Sequence, residues 1–348
     1  MIRFENDYAE GAHEAILKKL FETNGEQTPG YGLDAHCETA RKLIRRECGT
    51  EKADVHFLVG GTQANTVMIA SILRPHQGAV SADTGHIAVH ETGAIEATGH
   101  KVLTIPGDDG KITAAQVRAL YETHWSHASH EHAVQPGLVY ISLPTENGTI
   151  YTKKELSALA ETCRQCKLPL VVDGARLGYG LVADGCDMTL ADVAELADMF
   201  SIGGTKVGAL FGEAVVITND ALKQDFRYAI KQRGGMLAKG RLLGIQFETL
   251  FADGLYWDIS RHAVGQAMRI RRAFEAKGVA FRYESPTNQQ FPILRTETLA
   301  QLGEKYAFSF WEKRGDSHAV VRVCTSWATR EEHVDQLVAH INGAIIHG

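Results

Sequence analysis

The chain has 348 residues, of which 44% are hydrophobic and 22% charged, and its formal net charge is −6 at pH 7. This composition is typical of a soluble globular protein and argues against disorder, a collagen-like repeat or a coiled coil. The small negative charge is spread along the whole length, so no nucleic-acid partner is expected. A chain of this length is expected to fold as one large domain and a smaller one.

The first residues include Glu5 and Asp7, where an export signal would need a basic stretch followed by an apolar run. Nowhere do about eighteen apolar residues follow one another, so no membrane partner is expected. The six cysteines are scattered, as in reduced cytosolic proteins. Together these features predict a cytoplasmic protein.

Short apolar runs rich in β-branched residues alternate with longer amphipathic stretches. Such runs are typical of buried parallel strands, and the stretch 154–167 has the periodicity of a crossover helix. The alternation predicts a doubly wound α/β fold. The predicted strands are residues 55–59, 138–142, 168–172, 199–202 and 214–217.

The pattern changes after Gly244. A long helical stretch passes through residues 247–270, two short strands are predicted at 291–294 and 320–324, and a terminal helix begins near residue 330. We therefore predict a large domain over residues 1–254 and a smaller α+β domain over residues 255–348, with the N-terminal segment 1–15 packing toward the smaller one.

Three turns that follow predicted strands carry the residues with chemical potential. In sheets of this class, ligands bind beyond the carboxyl ends of the strands, so the three turns are expected to converge. The turns are Gly60-Gly61-Thr62, Asp173-Gly174-Ala175-Arg176 and Gly203-Gly204-Thr205-Lys206.

Lys206 is the strongest nucleophile candidate. Among small and apolar neighbours its amine pKa would be lowered by desolvation, as a Schiff-base lysine requires, although a solvated loop lysine has the same local sequence. Asp173 could hold a protonated pyridine nitrogen and Arg176 could face the same ligand, or the two could form an ion pair that caps the strand. Gly61 and Thr62 open a helix whose backbone N–H groups could bind a phosphate.

Histidines supply the remaining candidates. His86 could stack its ring on a flat cofactor or act as a structural helix cap. The tract His124, His127, His130 and His132 has the spacing of metal ligands but few acidic or thiol partners, so we expect no metal there and consider a single catalytic histidine instead.

The motifs occur in one order along nearly the whole chain, and together they resemble the L-threonine aldolases and their β-eliminating relatives. These are fold-type-I enzymes that depend on pyridoxal-5′-phosphate (PLP). The matching segments are Tyr31-Gly32, Gly60 to Gln63, Gly85-His86 with Glu91-Thr92-Gly93, Glu146, Asp173 to Arg176, Gly204 to Lys206, and Arg322.

The resemblance implies a mostly parallel seven-stranded sheet between helices, with a role for each matching residue. Lys206 would hold PLP as a Schiff base, Asp173 would pair with the pyridine nitrogen, Arg176 would lie near the 3-hydroxyl and His86 would stack on the ring. Gly61, Thr62 and Arg233 would bind the phosphate. The expected substrate-binding residues are Asn6, Tyr31, Arg176 and Arg322.

Two positions depart from the family pattern. Asn6 stands where many relatives have a serine that assists carboxylate binding, and the basic residue usually found after the methionine-containing glycine run has no clear match. The family's second active-site histidine falls on His132, where the preceding loop differs in length.

The reaction implied is retro-aldol cleavage of a β-hydroxy-α-amino acid to glycine and an aldehyde, with His132 or His86 taking the hydroxyl proton. Another PLP reaction, such as β-elimination or transamination, remains open because fold does not decide function. A non-catalytic oligomeric binding protein is the remaining alternative. The resemblance also implies a homodimer or homotetramer with shared active sites, because Tyr31 and the segment around Arg233 would reach a neighbouring subunit.

Overall fold

The computed structural model describes residues 1–107 and 109–343. Its strands in chain order are β1 (Ile2–Arg3), β2 (Asp54–Leu58), β3 (Gln77–Ala82), β4 (Lys101–Ile105), β5 (Gln135–Ser142), β6 (Leu170–Asp173), β7 (Met199–Gly203), β8 (Glu213–Ile217), β9 (Gln289–Gln290), β10 (Ile293–Arg295), β11 (Tyr306–Ala307), β12 (Ser309–Arg314) and β13 (His318–Cys324).

The α-helices of the same residues are α1 (Glu14–Glu22), α2 (Ala35–Glu47), α3 (Gly61–Ile72), α4 (His86–Val89), α5 (Ala114–Ser126), α6 (Lys153–Cys166), α7 (Leu177–Leu181), α8 (Leu190–Leu196), α9 (Phe226–Gln232), α10 (Arg241–Ala252), α11 (Leu255–Glu275), α12 (Thr296–Gly303) and α13 (Glu331–Gly343). Capping boxes at Thr113, Thr152 and Thr189 begin α5, α6 and α8.

Seven strands form the large sheet in the order β2-β8-β7-β6-β5-β3-β4. The core strands β4, β3, β5, β6 and β7 pair in parallel, which agrees with the predicted fold class. The run 214–217, predicted to be a parallel strand, belongs to β8 and is antiparallel to both neighbours. The link 204–212 is too short for a parallel crossover, which needs about a dozen residues or more.

The sequence pattern did not predict β3 and β4. The segment Gln77–Ala82 consists mostly of small and polar residues, with Val80 its one β-branched residue, yet most of it is buried between β4 and β5. Gly78 is required here because a Cβ atom would lie 2.6 Å from the carbonyl oxygen of Lys101. Close packing therefore makes a strand from a sequence of weak strand propensity.

Both faces of the large sheet are buried. Along β5, Val139 and Ile141 face one apolar cluster, whereas Leu138 and Tyr140 face the other. This alternation is that of a strand covered by helices on both sides. The side chains available to bind a ligand are therefore confined to the ends of the strands.

A smaller sheet, β10-β13-β12, lies over a third apolar cluster. The N-terminal strand β1 pairs in parallel with β11, and Phe4 is buried in that same cluster. The long helical stretch predicted over 247–270 is two helices, because Gly254 adopts φ +75° between α10 and α11. Since α11 contributes to two of the clusters, the domain boundary between residues 254 and 255 stays a prediction.

No helix within the described residues combines the length and the apolar character that are needed to cross a membrane.

Close packing of α10 against α2 provides a test of the fold. A Cβ atom at Gly244 would lie 2.5 Å from Sγ and 2.6 Å from the backbone nitrogen of Cys37. Gly244→Ala should lower the free energy of unfolding by about 1–3 kcal/mol, because this contact leaves no room for a methyl group. Chemical denaturation measures the change.

The matched control is Gly265→Ala in α11, where an added Cβ meets no atom within 4 Å. There alanine should leave the stability unchanged or raise it, by up to about 1 kcal/mol, because it favours the helix. Equal effects of the two substitutions would show that the α2–α10 contact is not tight.

Candidate active site

The three predicted turns converge at one end of the large sheet. From α3, which follows the Gly60 turn, the Asn65 side chain donates a 2.9 Å hydrogen bond to Asp173 at the end of β6. The backbone N–H of Gly203, at the end of β7, donates to the carbonyl of Gly174 at 2.9 Å. The carboxyl ends of β2, β6 and β7 therefore form one site.

Asp173 is buried but fully hydrogen-bonded. Oδ2 accepts from the Tyr140 hydroxyl at 2.6 Å and from Asn65, while Oδ1 accepts from the N–H of Ala175 at 2.9 Å. Burial alone would raise the pKa of this carboxyl, but the positive charge of His86 and the side-chain hydrogen bonds lower it below its usual value. Asp173 therefore presents a negative charge to the site.

His86 begins α4 beside a second buried acid. Its Nδ1 lies 2.9 Å from Glu91 Oε1, and its backbone N–H donates to Glu146 at 2.9 Å. Burial would lower the pKa of His86, but Glu91 and the charges of Asp173 and Glu146 raise it. These acids therefore favour the protonated imidazole, and the bond to Glu91 fixes the ring orientation.

Lys206 lies in the loop after β7, close to two charged groups. Burial and the positive charge of Arg176 lower the pKa of its amine. Glu213, buried at the start of β8 and in register with Gly203, has a pKa raised to about 8 by burial, with Lys206 opposing the rise. Among the described residues, Glu213 Oε2 has no hydrogen-bond partner.

Arg176 is held by an acid that sequence reasoning missed. Its Nε and Nη2 donate to Asp7 at 2.6 and 2.9 Å, and Asn288 donates to the same carboxylate at 3.0 Å. Burial would raise the pKa of Asp7, but the Arg176 charge lowers it. The adjacent Asn6 accepts a bond from the N–H of Tyr8 at 3.0 Å. No local pattern marks Asp7, because its partner is distant in sequence.

Arg322, on β13, is only partly satisfied. Its Nη1 donates to Gln289 at 3.2 Å and its Nη2 to the carbonyl of Glu5 at 2.9 Å. Its buried Nε has no partner within the described part of the chain. A substrate carboxylate could accept from this group.

The start of α3 is open. An added Cβ at Gly60 or Gly61 would meet no atom within 4 Å, and no side chain caps the helix. The first N–H groups of a helix so exposed can receive a phosphate, with the Thr62 hydroxyl beside them. Gln63 donates to the carbonyl of Arg233 at 3.1 Å, so the backbone of Arg233 lies next to this helix start.

Tyr31 lies apart from Lys206 in its own chain. It contributes to a surface pocket with Arg227, Tyr228, Lys231 and Met236, and the Lys231 amine is 5.0 Å from its ring centroid. Almost half of the Tyr31 surface, 46%, is exposed.

The structure places His132 away from the other predicted site residues of its own chain. It ends a short 3₁₀ turn, His130–His132, just before β5, and it is exposed. That is the amino end of the strand, whereas the site forms at the carboxyl ends, and eight residues of strand separate the two. Its pocket neighbours include His124, His127 and His130, but in the residues that the structure describes no such group is arranged to hold a metal ion.

A different histidine lies at the site. The ring centroids of His90 and His86 are 5.6 Å apart, and those of His90 and Trp311 are 6.4 Å apart. The sequence could have indicated His90, because it lies four residues after His86, at the end of a single helical turn. Residues with this spacing are neighbours on the surface of a helix.

Comparison with known proteins is consistent with this arrangement. The family model described as "Beta-eliminating lyase" matches residues 8–328. The chain belongs to the beta-eliminating lyase family.

Relatives of this family cover the whole chain. A threonine aldolase structure from Leishmania major has 44% identity and a TM-score of 0.96, over 99% of this chain and 100% of that one. A low specificity L-threonine aldolase from a Pseudomonas species is 29% identical over 99% of this chain and 98% of its own length. An aspartate aminotransferase from Thermus thermophilus, at 15% identity and TM-score 0.71 over 99% and 91% of the two chains, shares the fold.

The predicted family, fold class and PLP-dependent lyase activity are thereby confirmed. The site residues fit that cofactor. The site combines an amine of lowered pKa, an ionised carboxylate, an oriented imidazole and an uncapped helix start.

The buried Glu213 generates a pH prediction. Its raised pKa means that the stabilising contribution of the neutral carboxyl is complete below the ordinary value of 4.5 and is lost as the pH rises toward 8. The protein without cofactor should therefore match a Glu213→Gln variant in stability near pH 4.5, and the variant should become increasingly more stable than the wild type up to pH 8. Denaturant titrations across this range measure the difference.

Glu131→Gln, at an exposed position, controls for the loss of one acidic side chain. A stability difference for Glu213→Gln that stays constant with pH would contradict a neutral Glu213.

Proposed function

We propose that the protein cleaves a β-hydroxy-α-amino acid, such as L-threonine, L-allo-threonine or a phenylserine-like substrate, to glycine and an aldehyde. The observation that carries this proposal is the full-length likeness to a threonine aldolase at 44% identity. The geometry supports it, since a lysine amine, an ionised acid and a partly satisfied arginine surround one site.

Lys206 would hold PLP covalently, Asp173 would face the pyridine nitrogen, His86 would stack on the ring, and Gly61 and Thr62 would bind the phosphate. PLP supplies an electron sink that stabilises negative charge at the substrate Cα. The negative charge of the ionised Asp173 would raise the pKa of the pyridine nitrogen and so favour its protonated form. An uncharged amide in the same place could not do this.

Two arginines would place the substrate. Arg322 would bind its carboxylate through the unpartnered Nε, and Asn6 directly follows Glu5, whose carbonyl accepts from Arg322. The bidentate ion pair with Asp7 fixes the guanidinium of Arg176, which would lie near the 3-hydroxyl of the ring. Orientation by these groups would set the Cα–Cβ bond perpendicular to the cofactor, which selects the bond that breaks.

Product analysis tests the function. The loaded enzyme given L-threonine, L-allo-threonine or phenylserine should release equal amounts of glycine and aldehyde. Lys206→Ala should abolish both this release and borohydride labelling, because the amine that would bind the cofactor is removed, while the thermal midpoint changes little.

Release of free ammonia together with a keto acid that has lost the hydroxyl group would indicate β-elimination instead, and a keto acid that retains the hydroxyl group, formed without free ammonia, would indicate transamination. Borohydride labelling that maps to another lysine would contradict the assignment of Lys206. A protein that binds amino acids without turnover would support the non-catalytic alternative.

We also propose a cytoplasmic homodimer or homotetramer whose active sites are shared between subunits. Tyr228 is 77% exposed and lies with Tyr31 and Lys231 in one open pocket, an arrangement suited to contact with a neighbouring subunit. In such an assembly Tyr31 and Arg233 would complete the site of the partner. A cytoplasmic location is supported by the cysteines, all six of which are free thiols.

Complementation tests the shared site. Lys206→Ala and Arg233→Ala chains should each be inactive alone, and hybrids of the two should recover activity at one of their sites, because one intact lysine then meets one intact arginine. Activity after mixing and refolding, compared with each variant refolded alone, measures the recovery. A monomer with full turnover at low concentration would contradict the proposal.

A further inference from the structure

Two histidines lie at the site of this chain, and their pKa values are shifted in opposite directions. His90 follows α4 directly, and its backbone N–H donates to the carbonyl of His86 at 2.9 Å. His132 lies before the amino end of β5, so of the two histidines predicted to take the proton of a substrate hydroxyl only His86 lies at the site of its own chain.

His86 is not suited to accept a proton. Its Nδ1 bonds to Glu91 at 2.9 Å, and Glu91, Asp173 and Glu146 together outweigh burial, so the pKa of the imidazole is raised. A protonated ring has no free lone pair. This ring is positioned and charged, as a stacking partner for the cofactor would be.

His90 has the opposite environment. Burial lowers the pKa of its imidazole, and the positive charges of His86, Arg322, Arg176 and Lys206 lower it further. These cations approach from α4, from β13, from the start of α7 and from the loop after β7. The Glu91 side chain next to it is turned inward, to Asn65 and His86.

His90 is also accessible. The residue is exposed, and its ring centroid is 5.6 Å from that of His86 and 6.4 Å from that of Trp311. None of the hydrogen bonds of the described residues involves its ring nitrogens, so a nitrogen is available to a substrate hydroxyl. The ring can return a proton to water between turnovers.

We propose that His90 is the general base that accepts the β-hydroxyl proton of the substrate. This inference rests on the proposed function. The hydroxyl proton moves to a ring nitrogen of His90, the Cα–Cβ bond breaks, and the oxygen lone pair becomes the second bond of the aldehyde carbonyl. The electron pair of the broken bond remains with the glycine fragment, which later gains a proton at Cα, so no oxidant or reductant is needed.

The test compares His90→Gln with His127→Gln, an exposed histidine close to the amino end of β5. His90→Gln should lose about 100-fold or more in kcat/KM for aldehyde release, because glutamine cannot take the proton. The acid limb of the wild-type pH profile, with an apparent pKa below the ordinary 6.5, should disappear. Added imidazole should restore part of the rate, and His127→Gln should behave as the wild type.

Exchange of the α-proton of glycine provides the readout that separates a base from a structural residue. This exchange involves no β-hydroxyl, so His90→Gln should retain it. Equal losses of exchange and aldehyde release would overturn the proposal, as would a variant whose acid limb and rate are unchanged. A wild-type enzyme that releases no aldehyde would instead overturn the proposed function itself.

Titration of the protein without cofactor gives an independent measurement. The NMR signal of His90 is the one that is absent from the spectrum of His90→Gln. In the wild-type protein this signal should titrate below the ordinary histidine pKa of 6.5. Arg322→Gln should raise the pKa of His90, because it removes one of the nearby positive charges. A His90 that titrates above 6.5 would contradict the lowered pKa on which its availability as a base depends, and would overturn the proposal.

Discussion

A carboxylate that stays ionised inside the protein, Asp173, is the constraint on which the site depends. An uncompensated buried charge costs several kcal/mol or more, so it requires fixed donors. Tyr140 comes from the adjacent strand, Asn65 from α3 and Ala175 from its own turn. Because Asn65 also bonds to Glu91, the helix with the open N-terminus and the turn that carries His86 are positioned by one network.

Charge balance distinguishes the parts of this network. The acids Glu91 and Glu146 surround His86 and keep it cationic, whereas Glu213 is buried beside an amine of lowered pKa, so both members of that pair tend toward their neutral forms. A lysine that is neutral at neutral pH is a nucleophile. The same field of positive charge that favours a free amine at Lys206 lowers the pKa of His90.

The N-terminal segment connects the large sheet with the smaller one. Asp7 accepts bonds from Arg176 on one side and from Asn288 on the other, and β1 pairs with β11. Because the Arg176–Asp7 pair is bidentate and buried, removal of one partner would leave a charge uncompensated, at a cost of about 3–5 kcal/mol. The position of Arg176 therefore depends on residues from both ends of the chain.

The sequence by itself determined the doubly wound architecture and the convergence of the three turns, because parallel strands bring their carboxyl ends to one edge whatever their order. Only the tertiary structure decided which acids and histidines reach that edge. Asp7 meets Arg176 across 169 positions, and His132 is excluded although its tract contains four histidines. Local patterns specify the direction and burial of a strand, whereas the partners of a charged side chain depend on the packing of segments remote in sequence.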